Sequence, residues 1–303
     1  MNKKILVVSL NPAIDKIIFL NDLNVGGINR VNTEQVIMSA GGKGTNAARM
    51  CAQDGFEVAV LGFVAGEAGK YIEANLHSNA VTTNFVWLDG ETRTNINIIC
   101  DGAETEILEQ GPVVSKAKYA RLFDEYERAL ANEPAAVVFS GGLPQGVPSD
   151  VYAKMILLAQ ARNKPTILDA SGDALKAAVA SGPTWVKPNV RELSELIGER
   201  VVTPQEMKSA SESLIKSHKI KCVVVSRGAE GAVLTYESKD GKVISDELAA
   251  ETVDVVNALG CGDAMVAGIA CGVVLGEGAE DSVRRGLKFA ALNAGRKEIG
   301  TLC

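Results

Sequence analysis

One carboxylate in this sequence stands where chemistry is easy to place. In "VNALGCGDAMVAGIACGVVLG", residues 256–276, Asp263 falls between a knot of glycines and a long apolar run. Gly260, Cys261 and Gly262 would present consecutive backbone N–H groups at a helix start, where about half a positive charge resides. An Asp there is a common helix cap contributing about 1 kcal/mol. A cap, however, has no use for two glycines on its approach. A phosphoryl group seated on those amides does, with Asp263 taking the proton of an attacking hydroxyl.

A second stretch repeats the logic. "AGGKGTNAARM", residues 40–50, packs three glycines into four positions ahead of a helical pattern. Backbone can approach a ligand closely there, with free N–H groups aimed at it. Lys43 adds a mobile cation and Asn46 a donor and an acceptor. The plainer reading, a tight strand-to-helix turn with a capping Asn, fits equally well. The glycines of "LGFVAGEAGKY" (62, 66 and 69) read as turn glycines after a strand. No G-x-x-x-x-G-K-[ST] occurs, and no G-x-G-x-x-G follows a strand, which argues against a P-loop enzyme and a Rossmann dehydrogenase.

The elements that position these residues read as an α/β chain. Short β-branched runs at 4–10, 57–64, 135–141, 165–172 and 221–228 alternate with amphipathic segments such as "AKYARLFDEYERALAN" and "EMKSASESLIKSH". That alternation predicts a mainly parallel sheet covered on both faces, with ligands beyond the carboxyl ends of its strands. Residues 12–40 and 91–110 break the rhythm. They alternate apolar with polar, carry turn signals at Asn24–Gly27 and Asp101-Gly102, and read as antiparallel hairpin strands forming a small lid. The expected organisation is one domain over 1–303 with that lid.

Composition bounds the function. The chain has 303 residues, is 47% hydrophobic and 22% charged, and carries a formal net charge of −6. That balance argues against a nucleic-acid surface. Six cysteines without a C-x-x-C pair and only two histidines make a zinc site or a disulfide framework a poor fit. The N-terminus reads as a buried strand rather than a signal peptide, and no apolar run is long enough for a membrane span. A cytoplasmic protein is expected.

The motifs "GGKGTNAAR", "VKPNVREL" and "GCGDAMVAG", in register over nearly the whole chain, resemble the ribokinase-like carbohydrate kinases of the PfkB family. "LNPAIDK", "NRV", "TRTNINI" and "ETEILEQGP" are similar to its hexose-phosphate branch, which holds 1-phosphofructokinase and tagatose-6-phosphate kinase. The resemblance implies a three-layer α/β/α sandwich with a β-sheet lid, and transfer of the ATP γ-phosphoryl to a sugar hydroxyl. It makes Asp263 the general base and the amides of Gly260, Cys261 and Gly262 the anion hole. Asp15, Gly42 and Asn46 would line the sugar site, and Lys43, Arg30 and Arg93 are candidates for the phosphate already on the substrate. The plainer reading of those three cations is exposed surface charge. Lys187, Ser226, Gly228 and Gly231 would lie near the nucleotide phosphates and Asn293 near the adenine. Asn189 and Glu192 would organise Mg²⁺ through water, although a capping box has identical spacing.

The sequence departs from the family at three places. Cys261 replaces a usual alanine or serine, Arg227 a usual leucine, and the sequence ends at Cys303 where relatives continue for another helix. The branch also pairs subunits through its lid, so a homodimer is implied. Fructose 1-phosphate is the leading acceptor. Tagatose 6-phosphate stands beside it, because "ETEILEQGP" and "LNAGRKEIG" lean that way while "LDASGDAL" leans to fructose. The reading from another class is a non-catalytic sugar-phosphate sensor. Its mark would be an eroded base or anion hole, and here Asp263 and both flanking glycines are intact.

Overall fold

The computed structural model describes residues 3–101 and 103–302. Thirteen strands are assigned among them. They are β1 (Lys4–Val8), β2 (Ala13–Leu20), β3 (Val36–Gly41), β4 (Glu57–Ala65), β5 (Val81–Leu88), β6 (Thr94–Cys100) and β7 (Ala103–Leu108). Then follow β8 (Ala136–Ser140), β9 (Thr166–Asp169), β10 (Trp185–Val186), β11 (Cys222–Ser226), β12 (Ala232–Glu237) and β13 (Val243–Leu248). Nine strands form one sheet in the order β13-β12-β11-β10-β9-β8-β1-β4-β5. From β11 to β5 every pairing is parallel, and at one edge the β11–β12 and β12–β13 pairings are antiparallel.

Strand periodicity sorts the core into two. Leu6 and Val8 of β1 pack on one side with Leu122, Tyr126, Tyr152, Leu193 and Met207 from four helices. Ile5 and Val7 pack on the other side with Met50, Ile72, Val266, Ile269 and Leu287 from four helices. Because side chains alternate across a strand, a continuous apolar run feeds both faces, and three layers follow. The ribokinase-like three-layer expectation is what the chain adopts.

The two irregular segments meet in a second sheet of four strands, β3-β2-β6-β7. The β2–β3 and β6–β7 pairs are antiparallel, as their alternation predicts, but the sheet is joined through a parallel β2–β6 pair. Asn24–Gly27 does turn, with the Gly27 amide donating to the Asn24 carbonyl at 3.2 Å, yet it lies inside a long β2–β3 connection. At the β6–β7 turn, Cys100 pairs with Ala103; Gly102 lies outside the described residues.

The strands β5, β10, β12 and β13 were not expected. Of these, β10 is only two residues long, too short for any period to register. No helix among the described residues is long and apolar enough to cross a membrane. The apolar run after Asp263 instead forms the helix Cys261–Leu275, buried on nearly every side. It packs on Ala279–Ala294 at backbone contact: a Cβ on Gly268 would stand 2.6 Å from the Gly286 Cα. We expect Gly268→Leu to force these helices apart and cost on the order of 3 kcal/mol. An unchanged urea midpoint would contradict that packing.

Candidate active site

Two adjoining cavities of about 410 and 320 Å³ open where the parallel strands end. Ser9 follows β1, Ser140 ends β8, Asp169 ends β9, and Lys187 follows β10. β1 has β4 on one side and β8 on the other, so the order in which strands are added reverses beside it, which is the switch point where open α/β sheets hold ligands. The larger cavity is also walled by the small sheet through Asp15, Asn95, Asn97 and Glu106. Lys43, Glu106, Leu259, Gly260 and Asp263 face both cavities.

Asp263 occupies the first turn of Cys261–Leu275, but it does not cap that helix. Its Oδ2 accepts a 2.9 Å hydrogen bond from Asn46 Nδ2, on the first turn of the helix Lys43–Gln53. The two glycine-rich turns, 217 residues apart in sequence, thus face each other across the site. Gly260 has φ +74°, and a Cβ there would stand 2.3 Å from Ile299, so both conformation and space demand glycine. Burial pushes the Asp263 carboxyl up to about 7; Asp169 adds to this, while Lys43, Asn46 and Lys187 oppose it.

A buried ion cluster backs the second cavity. Asp169, 1% exposed, lies 3.1 Å from Lys187 Nζ and 3.9 Å from Lys43 Nζ. Burial pulls its carboxyl up, but Lys187 and Lys43 outweigh that and hold it below the ordinary range. Lys43 also lies 3.7 Å from Glu192, and chiefly Asp169 raises its ammonium above the usual value. Asp169 was missed as a candidate; the available signal was a buried strand running straight into Asp.

The remaining candidates separate. Asp15, 5% exposed, accepts from Asn95 Nδ2 at 2.8 Å and from the Gly42 amide at 3.4 Å, and burial raises its carboxyl. Arg93 joins this group by donating to the Asn11 carbonyl and to Asn95 Oδ1. Arg30 sits on the exposed β2–β3 connection, outside both cavity linings. Asn189 and Glu192 form the capping box: the Asn189 amide donates to Glu192 at 2.9 Å, and the Glu192 amide to Asn189 at 2.8 Å.

Ser226 lines the smaller cavity, while Gly228 and Gly231 turn the chain beyond it. Arg227 pairs with Glu230 and with Glu247, the latter at 3.5 Å. Asn293 is buried, donating to the Leu259 carbonyl at 2.7 Å and accepting from the Gly300 amide at 3.0 Å. It braces the loop ahead of Gly260 rather than offering free groups to a ligand. Cys261 faces the smaller cavity, its thiol raised by burial and donating to the Ala290 carbonyl at 3.5 Å.

Comparison with known proteins bears on this arrangement directly. The family model described as pfkB family carbohydrate kinase matches residues 8–302. The chain belongs to that family. This pfkB-family kinase is 36% identical over 299 residues to a tagatose-6-phosphate kinase of Staphylococcus epidermidis, covering 98% of this chain and 94% of the relative. Phosphofructokinase-2 from Escherichia coli superposes with a TM-score of 0.88 at 26% identity, covering 98% and 94% of the two chains. A Thermotoga maritima protein named as a possible 1-phosphofructokinase does so with a TM-score of 0.87 at 29% identity, covering 97% and 93%. As a member of this family the chain is an ATP-dependent phosphotransferase.

The raised carboxyl of this kinase has a stability signature. With a folded value near 7 and an unfolded one near 3.9, the native state holds the extra proton between them. Stability therefore falls as pH rises from about 4 to 7, and an ionised Asp263 is a burden above that. Asp263→Asn should be more stable than wild type at pH 8, on the order of 2 kcal/mol, with the gap closing toward pH 4. Thermal unfolding at the two pH values measures it; a pH-independent gap would contradict the reading.

Proposed function

We propose that the chain phosphorylates a ketohexose phosphate at the primary hydroxyl farthest from the phosphate already present. The observation that carries this is Asp263 on the wall shared by the two cavities, beside the amides of Gly260–Gly262. The acceptor fills the larger cavity, with Asp15 and Asn46 taking its hydroxyls and Arg93 drawing its phosphate. ATP lays its phosphates over the smaller cavity, against Lys187, Lys43 and the helix start. Asp263 accepts the hydroxyl proton as the oxygen–phosphorus bond forms, and the bond from the γ-phosphorus to the bridging oxygen breaks to release ADP. The developing charge rests on the loop amides.

Magnesium fits the residues present through its water shell. One Glu192 oxygen is committed to the Asn189 amide, and the Asn189 oxygen to the Glu192 amide. Among the described residues no group of three His, Cys, Asp or Glu side chains is placed to hold a metal directly. Glu192, with Asn189 beside it, would hold the ion through waters, as suits a cation that dehydrates reluctantly. When bound, the ion supplies charge to the nucleotide phosphates.

Fructose 1-phosphate, giving fructose 1,6-bisphosphate, heads this reading, with "LDASGDAL" leaning to it. The Staphylococcus epidermidis relative supports tagatose 6-phosphate as the second acceptor. Both present a phosphate at one end and a primary hydroxyl at the other, which is what Arg93 and Asp263 ask for. The small sheet would serve as a lid and as the contact with a second copy. Its edge strand β7 is exposed along its length, and Met38 and Ile107 expose 47% and 51% of their surface.

ATP consumption against fructose 1-phosphate, tagatose 6-phosphate, fructose 6-phosphate and free fructose tests the acceptor. Turnover of one of the first two is expected; turnover of free fructose alone would overturn the reading. Asp263→Asn should lower turnover by at least about 10²-fold while ATP still binds. Because only the carboxylate can take the proton, kcat/KM should fall about tenfold per pH unit below about 7. A flat profile down to pH 5.5 would remove Asp263 as the base.

A further inference from the structure

The inner face of the small sheet carries a polar pair that the mechanism above does not use. Arg93, Asn95 and Asn97 recur at every second position, so β6 turns Asn95 and Asn97 to the same face as its neighbour. Asn95 is fully engaged, donating to Asp15 and accepting from Arg93. Asn97 is not. It is 3% exposed, it lines the larger cavity, and its Oδ1 has no hydrogen-bond partner. Directly across the β6–β7 ladder stands Glu106, which faces both cavities.

An unpaired buried amide oxygen costs about 1–3 kcal/mol, so its presence in a cavity wall asks for a ligand group that repays it. The unpaired atom is an acceptor, which matches the donating O–H of a sugar and not an ionised phosphate oxygen. The Glu106 carboxylate accepts from a hydroxyl and repels a phosphate. Together they describe a patch for the hydroxyl-bearing middle of the acceptor, with the phosphate kept at the Arg93 end.

We propose that Asn97 and Glu106 form a hydroxyl-reading pair that sets which ketose epimer this kinase accepts. The proposal rests on the ketohexose-phosphate reading and deepens it. Fructose and tagatose differ only in the face on which one hydroxyl stands, at C4. A site built to bond that hydroxyl rejects the epimer, because the wrong sugar leaves the buried amide unpaired.

The test is the kcat/KM ratio for C4 epimers carrying phosphate at the same position, measured for wild type, Asn97→Ala and Glu106→Gln. Wild type should prefer one epimer. Each variant should raise the acceptor KM about tenfold and shrink the epimer ratio by a similar factor, and Asn97→Ala, at a residue that lines only the larger cavity, should keep the KM for ATP within about twofold of wild type. Glu106→Gln, on the exposed strand β7, keeps the test alive if Asn97→Ala folds poorly. Unchanged ratios in folded variants, or a wild type indifferent to the epimer, would overturn the pair. If wild type phosphorylates only a free sugar, the ketohexose-phosphate reading falls by itself. The same ratio measured on epimers of that sugar then still decides the pair.

Discussion

The site depends on keeping carboxylates charged where water scarcely reaches. Asp169 is 1% exposed at the end of a core strand, a position where an unpaired charge would cost many kcal/mol. Lys187 and Lys43 make it tolerable, at 3.1 and 3.9 Å. Removing either cation leaves an uncompensated buried charge, which is why such clusters constrain everything around them. One lysine must follow β10 and the other must open a helix, so strand order and the first glycine-rich turn are both tied to the same carboxylate.

That cluster also sets the chemistry of its neighbour. Asp263 shares the two lysines with Asp169, and it shares burial without a direct ion pair of its own. Its one close side-chain partner is neutral, the Asn46 amide at 2.9 Å. A carboxyl raised to about 7 follows from that division. The strongly paired carboxylate stays ionised and fixes the cations, while the weakly paired one is left free to exchange a proton.

The small sheet completes the cavity with groups of a different kind. Its inner face offers Asp15, Asn95, Asn97 and Glu106, suited to hydroxyls, whereas the ends of the main sheet offer the lysines and amides suited to phosphates. A parallel β2–β6 pair holds this face together, joining segments some 80 residues apart.

Much of this was legible beforehand. The apolar runs of β1, β4, β8, β9 and β11 declared a parallel sheet, because a strand buried on both faces is apolar at most positions and not at alternate ones. The glycines around Asp263 and Asn46 pointed to close backbone approach, and at Gly42 and Gly260 a positive φ favours glycine. The Asn189/Glu192 spacing could not separate a cap from a metal site, because both need the same two residues one turn apart. Nor could it reveal that Asp169 pairs with Lys43, that Asn293 is spent bracing a loop, or that Arg30 lies outside the cavities. Asn97 was equally silent, a polar residue in an alternating strand until its lack of a partner set it apart. Local spacing determines which backbone conformations and faces are available; which charges meet is decided only when strands distant in the chain become neighbours and exclude water between them.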